Sequence, residues 1–358
     1  MDSMKRIGGS ESDTAFSRDS VGSLSPTAPA IYYVLAHEQF APPELVEQGV
    51  AAERAGFEGV WASDHFQPWQ VNEGHSGFAW VTLAALTQRT ARIQFGTGVT
   101  CPTFRYRPAV VAQAWASLSQ LAPGRVFLGL GAGENLNEGA AGGGWGSYAE
   151  RASRLVEAVK IIRGLWTGEH QHVEGRFWNV EGRLYDTPAS KIPIYIAAGG
   201  PKSAHFAGRY GDGMITGASQ LKHDAALRSA WEGGVRESGG RPGSQPIIVE
   251  HWAVVGGDAE AHDAAEKWRF TPRAWQHGFF DNISPPDIQR RGEAEIDLES
   301  VYKDWEVSES PEDHVRAFRD LADVGATHIS VHVATPNQSE VIDFFGKEVL
   351  PAMRGDRS

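Results

Sequence analysis

An α/β barrel of eight βα units is the fold this sequence predicts, and three observations predict it. Short β-branched or apolar runs recur eight times after residue 30, helical periodicity fills the gaps, and glycines or polar residues gather just after the runs. Such alternation builds a parallel sheet, and eight repeats close it into a (β/α)8 TIM barrel whose working groups belong at the carboxyl ends of the strands.

Each unit can be read in order. IYYVLAH (31–37) is followed by His37 and Glu38 at its end and by the helix PPELVEQGVAAERAG (42–56), which brings Leu45, Val46, Gly49 and Ala52 onto one face. GVWASD (59–64) ends in Asp64 and His65. IQFGTGVT (93–100) leads to the helix RPAVVAQAWASLSQL (107–121), and VFLGLGAG (126–133) leads through Glu134 to YAERASRLVEAVKIIRGLW (148–166). PIYIAAGG (193–200), GMITGA (213–218), PIIVEHWAVV (246–255) and HISVHVA (328–334) supply the remaining strands. Two stretches break the rhythm: residues 170–190 alternate like a small hairpin, and residues 271–310 form a long excursion before the helix PEDHVRAFRDLADVG (311–325). In a barrel such insertions belong at the C-terminal face, where they shape the mouth. The domain expectation is a disordered tail over 1–30, rich in Ser, Gly, Asp and Pro, then one barrel over 31–354.

Composition narrows the function. The apolar share of 41% and charged share of 22% are those of an ordinary soluble protein, which sets membrane and disordered classes aside. A net charge of -12 without any basic run argues against a nucleic-acid partner, since phosphate binding needs a basic face. Cys101 is the one cysteine, so no internal disulfide framework exists. The opening residues contain no apolar core of a secretory signal, and a cytoplasmic location is expected.

The chemistry-bearing stretch is SDHFQPWQ (63–70), which sets Asp64, His65 and Trp69 within six positions at a strand end. Taken alone, His65 reads as an ordinary hydrogen-bonded histidine. Its company changes that, because Glu134 brings a second titratable group from another strand end, and an imidazole and a carboxylate in different surroundings can divide acid and base work. FLGLGAGENLNE (127–138) holds a G-x-G-x-G that is weak as a dinucleotide fingerprint, since its third glycine is misplaced. Its glycines more simply let a flat ring lie against backbone. IAAGGPKSAHFAG (196–208) runs through glycines straight into a helix, which suits a phosphate at the helix start with Lys202 and Ser203 beside it; an ordinary βα turn reads equally well. GTGVTCP (96–102) reads as a glycine-relaxed strand end. Metal catalysis fits poorly, as no H-E-x-x-H and no cysteine pair occur, and no G-x-S-x-G supports a serine hydrolase. Most tryptophans read as core.

With these residues in view, the chain resembles the luciferase-like family of flavin and deazaflavin oxidoreductases, in the branch of coenzyme F420-dependent glucose-6-phosphate and hydroxymycolic acid dehydrogenases. The likeness spans about residues 31–350 and rests on EQFAP (38–42), SDHFQPW (63–69), PTFRYRPAVVAQA (102–114), RVFLGLGAGENLNE (125–138), YIAAGGP (195–201) and AGRYGDG (207–213). It implies F420 as cofactor, contacted by Asp64, with Gly98 and Val99 at a cis peptide behind the ring. Cys101, Ala132, Gly133, Asn137, Gly199, Gly200, Lys202 and Ser203 fall where the family holds the cofactor and its phosphate-bearing tail. His65, Trp69 and Glu134 would form the catalytic group, and Glu38 would face the substrate. A homodimer is implied too.

The resemblance also implies where substrate choice departs. Gln220, Phe280 and Asp304 stand where the glucose-6-phosphate enzymes are expected to carry basic residues, and Asp281 stands in place of a histidine. Lys222 and Arg273 are near enough in sequence to compensate in part. A phosphate would be repelled there, so the expected reaction is hydride transfer between C5 of F420 and the carbinol or carbonyl carbon of a neutral sugar or alcohol. Under that reading His65 accepts the hydroxyl proton, Glu134 exchanges a proton near N1 of the ring, and Trp69 steadies the charge. Two alternatives share the apparatus: a redox-neutral F420-dependent sugar epimerase and an FMN-dependent luciferase-like monooxygenase. The twin-arginine leader of the exported hydroxymycolic relative has no counterpart in the sequence, so its long lipid is not expected as substrate.

Overall fold

The computed structural model describes residues 28–355; the expected N-terminal tail falls outside the described residues as far as residue 27. Eight parallel strands form the predicted barrel: β1 (Ala30–Leu35), β2 (Gly59–Ala62), β3 (Gln94–Thr97), β4 (Leu128–Leu130), β7 (Ile194–Ala197), β8 (Gly213–Gly217), β9 (Ile247–Val254) and β11 (His328–Val333). Between β4 and β7 the predicted hairpin is present as antiparallel β5 (Gln171–Glu174) and β6 (Asn179–Gly182). A two-residue strand, β10 (Glu306–Val307), pairs in parallel with the end of β9.

The sheet runs in the order β3-β2-β1-β11-β9-β8-β7-β4, and two isolated bridges, Phe95 with Val126 and Thr100 with Leu130, close the remaining seam between β3 and β4. Strands three and four end earlier than the apolar runs suggest, because glycines interrupt them. At this seam the chains touch: a Cβ on Gly129 would lie 1.9 Å from the Thr97 carbonyl oxygen, so no larger residue fits. The barrel interior is filled by Tyr32, Val34, Trp61, Phe127, Tyr195, Ile215 and Ile248, one face of alternate strand positions. The opposite faces pack on the surrounding helices, where Leu35, Val60, Phe95, Trp115, Ile194 and Ile329 are buried. Burying each such side chain stabilises the fold by about 1.5–3 kcal/mol.

Helices lie where the periodicity put them: Pro42–Ala55, Pro108–Leu121, Tyr148–Trp166 and Pro311–Asp323. The excursion over 271–310 is folded, with helices Pro285–Glu295 and Glu299–Tyr302. Its apolar residues Phe279, Ile288 and Val301 share a second core with Trp268 and Phe270 just before it and with Trp69 and Leu136 from the strand ends. That shared core seats the insertion on the mouth. No helix among the described residues is long and apolar enough to cross a membrane.

Candidate active site

Strand parity decides which rim residues look inward. Val34 and Trp61 fill the barrel, so Glu38, Ser63 and His65 continue the inward series at the ends of β1 and β2. His37 turns the other way, and its ring nitrogens sit 3.1 Å from the Leu35 carbonyl and 2.9 Å from the Thr82 hydroxyl, so it belongs to the packing.

Glu38 and His65 meet at the mouth, with Glu38 Oε1 3.3 Å from His65 Nε2. The Ser63 hydroxyl donates to the other Glu38 oxygen at 2.5 Å. Burial alone would push Glu38 up, yet the adjacent His65 and the Ser63 hydroxyl outweigh it and hold its carboxyl below the usual range. On the far side of the ring, His65 Nδ1 lies 3.3 Å from the Gln67 carbonyl and 3.3 Å from the Asn137 amide nitrogen. The Phe66 N–H donates to Asn137 Oδ1 at 2.7 Å, which fixes the amide orientation. Its nitrogen therefore faces both His65 and Glu134 Oε2, the latter at 3.4 Å. One amide thus joins the imidazole from the second strand end to the carboxylate from the fourth.

Trp69 stacks on Phe270, just before the excursion, at 4.5 Å and stands 5.7 Å from the His65 ring. Glu134 caps the short helix Asn135–Glu138, whose Asn135 side chain donates to the Asp281 carbonyl and whose Asn135 N–H donates to the Phe280 carbonyl. Beside it Glu138 accepts from Thr103 and from the Phe104 and Arg105 amides, but burial dominates and raises it to about 7.

Asp64 has a different character. Its carboxylate accepts from Thr100 Oγ1 at 2.6 Å, Trp80 Nε1 at 2.9 Å and Tyr106 OH at 2.9 Å, with Arg105 at 3.4 Å. A carboxylate offers about four lone-pair sites, and all are taken by protein.

The structure contains the cis peptide between Gly98 and Val99. Cys101 is buried against Gly131, and burial pushes its thiol well up, so it stays protonated. Ala132 and Gly133 form the turn before Glu134, with Gly133 at a φ of 87° that disfavours other residues. Gly199 and Gly200 lead into the helix Pro201–Tyr210, and a Cβ on either would meet nothing within 4 Å. Open backbone at a helix start, with Lys202 exposed in the first turn and Ser203 bonded to Gly200, is a fitting cradle for an anionic tail.

The positions tied to substrate spread out. Gln220 folds back over Gly217 at the end of β8, and Phe280 faces Trp145 at 6.1 Å, over which Arg151 lies at 3.7 Å. Asp281 is engaged by its own turn, accepting from Gly278 N–H and pairing with His277. Asp304 is exposed, and Arg273 pairs with Glu295 at the surface. Three inward residues were missed by sequence reasoning: Glu250, Trp252 and His332. The available signal was polar or aromatic residues at alternate positions inside PIIVEHWAVV and HISVHVA.

With this geometry in place, comparison with known proteins is informative. Residues 21–328 match the family described as luciferase-like monooxygenase. The chain is 48% identical to F420-dependent hydroxymycolic acid dehydrogenase of Mycobacterium tuberculosis over 330 residues, covering 92% of this chain and 89% of that one. It is 41% identical to F420-dependent glucose-6-phosphate dehydrogenase of Intrasporangium calvum, covering 89% and 97%. Among solved structures it is similar to an F420-dependent secondary alcohol dehydrogenase in complex with an F420-acetone adduct, at 32% identity and a TM-score of 0.85, covering 92% of this chain and all of that one.

Proposed function

This chain belongs to the luciferase-like family and is an F420-dependent oxidoreductase of hydroxyl-bearing carbon, and from that premise we propose that its substrate is a neutral alcohol or sugar. The observation that carries the proposal is the buried Glu38–His65 pair at the barrel mouth. The residues present fit the cofactor: the glycine-open helix start with Lys202 and Ser203 suits its phosphate. Bound there, the deazaflavin supplies the two-electron partner that takes a hydride from a carbinol carbon or returns one to a carbonyl.

The chain's own groups handle the proton. In the His65 tautomer whose Nδ1–H donates to the Gln67 carbonyl, Nε2 is a lone-pair acceptor beside Glu38. A hydroxyl proton taken at Nε2 leaves an imidazolium next to a carboxylate already held ionised, which is the stabilisation a general base needs. The Gln67 carbonyl holds the ring in this tautomer, Glu134, bonded by the neighbouring Asn137 amide, is positioned to carry a second proton, and Trp69, stacked on Phe270, stands beside the ring. Support for a neutral substrate comes from Gln220, Phe280 and Asp304, none of which offers a cation to a phosphate, and from Glu38 itself.

A panel of unphosphorylated alcohols and sugars, with glucose 6-phosphate alongside, tests the reading by the absorbance of F420 and by product analysis. Bleaching with one or more neutral members and none with the phosphate is the expected result. Turnover restricted to the phosphate ester overturns substrate neutrality, and product without bleaching identifies redox-neutral epimerisation instead.

A further inference from the structure

A second histidine looks into the same mouth. β9 and β11 pair in parallel with His332 directly opposite Trp252, and their inward positions are Glu250 and Trp252 on one strand, Ser330 and His332 on the other. The His332 ring stacks on Trp252 at 3.7 Å with 17° between planes and meets the edge of Trp268 at 4.7 Å. The other face of Trp252 stacks on Trp305 at 5.0 Å, so the imidazole is fixed by packing on a rigid aromatic wall. His332 Nδ1 lies 2.8 Å from Glu250 Oε1, which sets that nitrogen's proton and its partner.

Its other nitrogen is unaccounted for. His332 is 4% exposed, and Nε2 has no hydrogen-bond partner among the described residues; the Ser330 hydroxyl one inward position below has none either. A buried polar atom without a partner is costly, and in a rigid setting that cost points to a ligand atom meant to complete it. In the neutral ring Nε2 accepts a hydrogen bond, and in the charged ring it donates one. A hydroxyl serves both states. An anionic group does not suit the place, because the Glu250 carboxylate bonds His332 directly and Glu38 is close enough for the two groups to interact.

We propose that His332 Nε2, oriented by Glu250 and Trp252, binds a second hydroxyl of the substrate, so that the enzyme favours vicinal diols and polyols over simple alcohols. This deepens the reading of the site as an alcohol oxidoreductase and rests on it. His332 is then a specificity-determining residue, distinct from the Glu38–His65 pair that receives the reacting proton.

The test compares cyclohexanol with trans-1,2-cyclohexanediol, a pair differing by one hydroxyl, in the F420-loaded wild type and in His332→Phe, which keeps an aromatic face against Trp252 and removes the nitrogen. Wild type should prefer the diol in kcat/KM by ~10-fold or more, because a site with a buried polar group rejects the analogue that leaves it unpaired. His332→Phe should erase that preference chiefly through KM, leave kcat/KM for cyclohexanol within about threefold, and leave F420 affinity, read by fluorescence, unchanged. A wild type without diol preference, a variant that keeps the preference, or one that loses both substrates equally overturns the proposal. Glu250→Gln retains the packing and should weaken the diol preference by a smaller factor, which keeps the question answerable if the first variant fails to fold. If wild type binds F420 yet bleaches it with no alcohol at all, the alcohol reading itself falls, an outcome separate from loss of preference alone.

Discussion

Asp64 and Glu38 are buried carboxylates on neighbouring strand ends, and they are treated in opposite ways. Asp64 is saturated by three bonds of 2.6–2.9 Å and an arginine. Glu38 has one short bond, from Ser63, and otherwise faces an imidazole at 3.3 Å whose remaining contacts are 3.3 Å each. A fully satisfied network makes structure rigid, whereas long contacts leave capacity that a reacting molecule can take up. Under the proposed function, the contrast separates the carboxylate that gives this rim its shape from the one that serves its chemistry.

Substitutions can break that contrast. The largest effect is expected from His65→Ala, which should lower turnover by about 10³–10⁴ while F420 still binds, measured by absorbance and fluorescence; near-normal turnover would sink the role of the pair. Asp64→Ala should instead strike stability, by about 3–5 kcal/mol in denaturant unfolding, because it strands Arg105 and three donors. If Asp64→Ala unfolds like wild type, saturation has no structural weight. Glu38→Gln should slow turnover by about 10–100-fold and alter the pH dependence of stability. Because the native Glu38 carboxyl lies below its ordinary 4.5, its contribution is complete above that pH and is lost as pH falls through the lowered native value. The variant should therefore show a flatter acid limb than wild type, and identical limbs would refute the linkage. Least affected should be Arg273→Ala, whose surface pair with Glu295 makes a change beyond about 0.5 kcal/mol unexpected; a raised KM there would revive Arg273 as a substrate contact.

How much of this was legible in the sequence depends on what kind of force writes each feature. The eight strands were legible because burying both faces of a parallel sheet demands the apolar β-branched runs at 31–37 or 193–200. The gathering of His65, Trp69, Asn137 and Glu134 followed from strand ends converging, and family likeness added their roles. What stayed hidden depends on cross-strand geometry. Nothing local marks Trp252 and His332 as a stacked pair, since their partnership is set by the register of β9 on β11. The saturation of Asp64 needed Trp80 to arrive from the helix Ala79–Thr87 and Thr100 and Tyr106 from the connection after β3. The excursion read as irregular because its helix Pro285–Glu295 buries little of its own surface, and its order comes from Trp69 and Leu136 beneath it.

The seam between β3 and β4 has a dynamic consequence. Where other staves of the barrel are laced along their length, this pair is tacked at two points, and amide protons exchange with solvent fastest where the lacing is thinnest. The tacks at Thr100 and Gly131 lie beside the peptide of Gly98 and Val99, on the wall where a flat cofactor is expected to rest. Loading the protein with deazaflavin should therefore splint the weakest stave, and isotope exchange at these two amides should slow more than at the paired strands opposite.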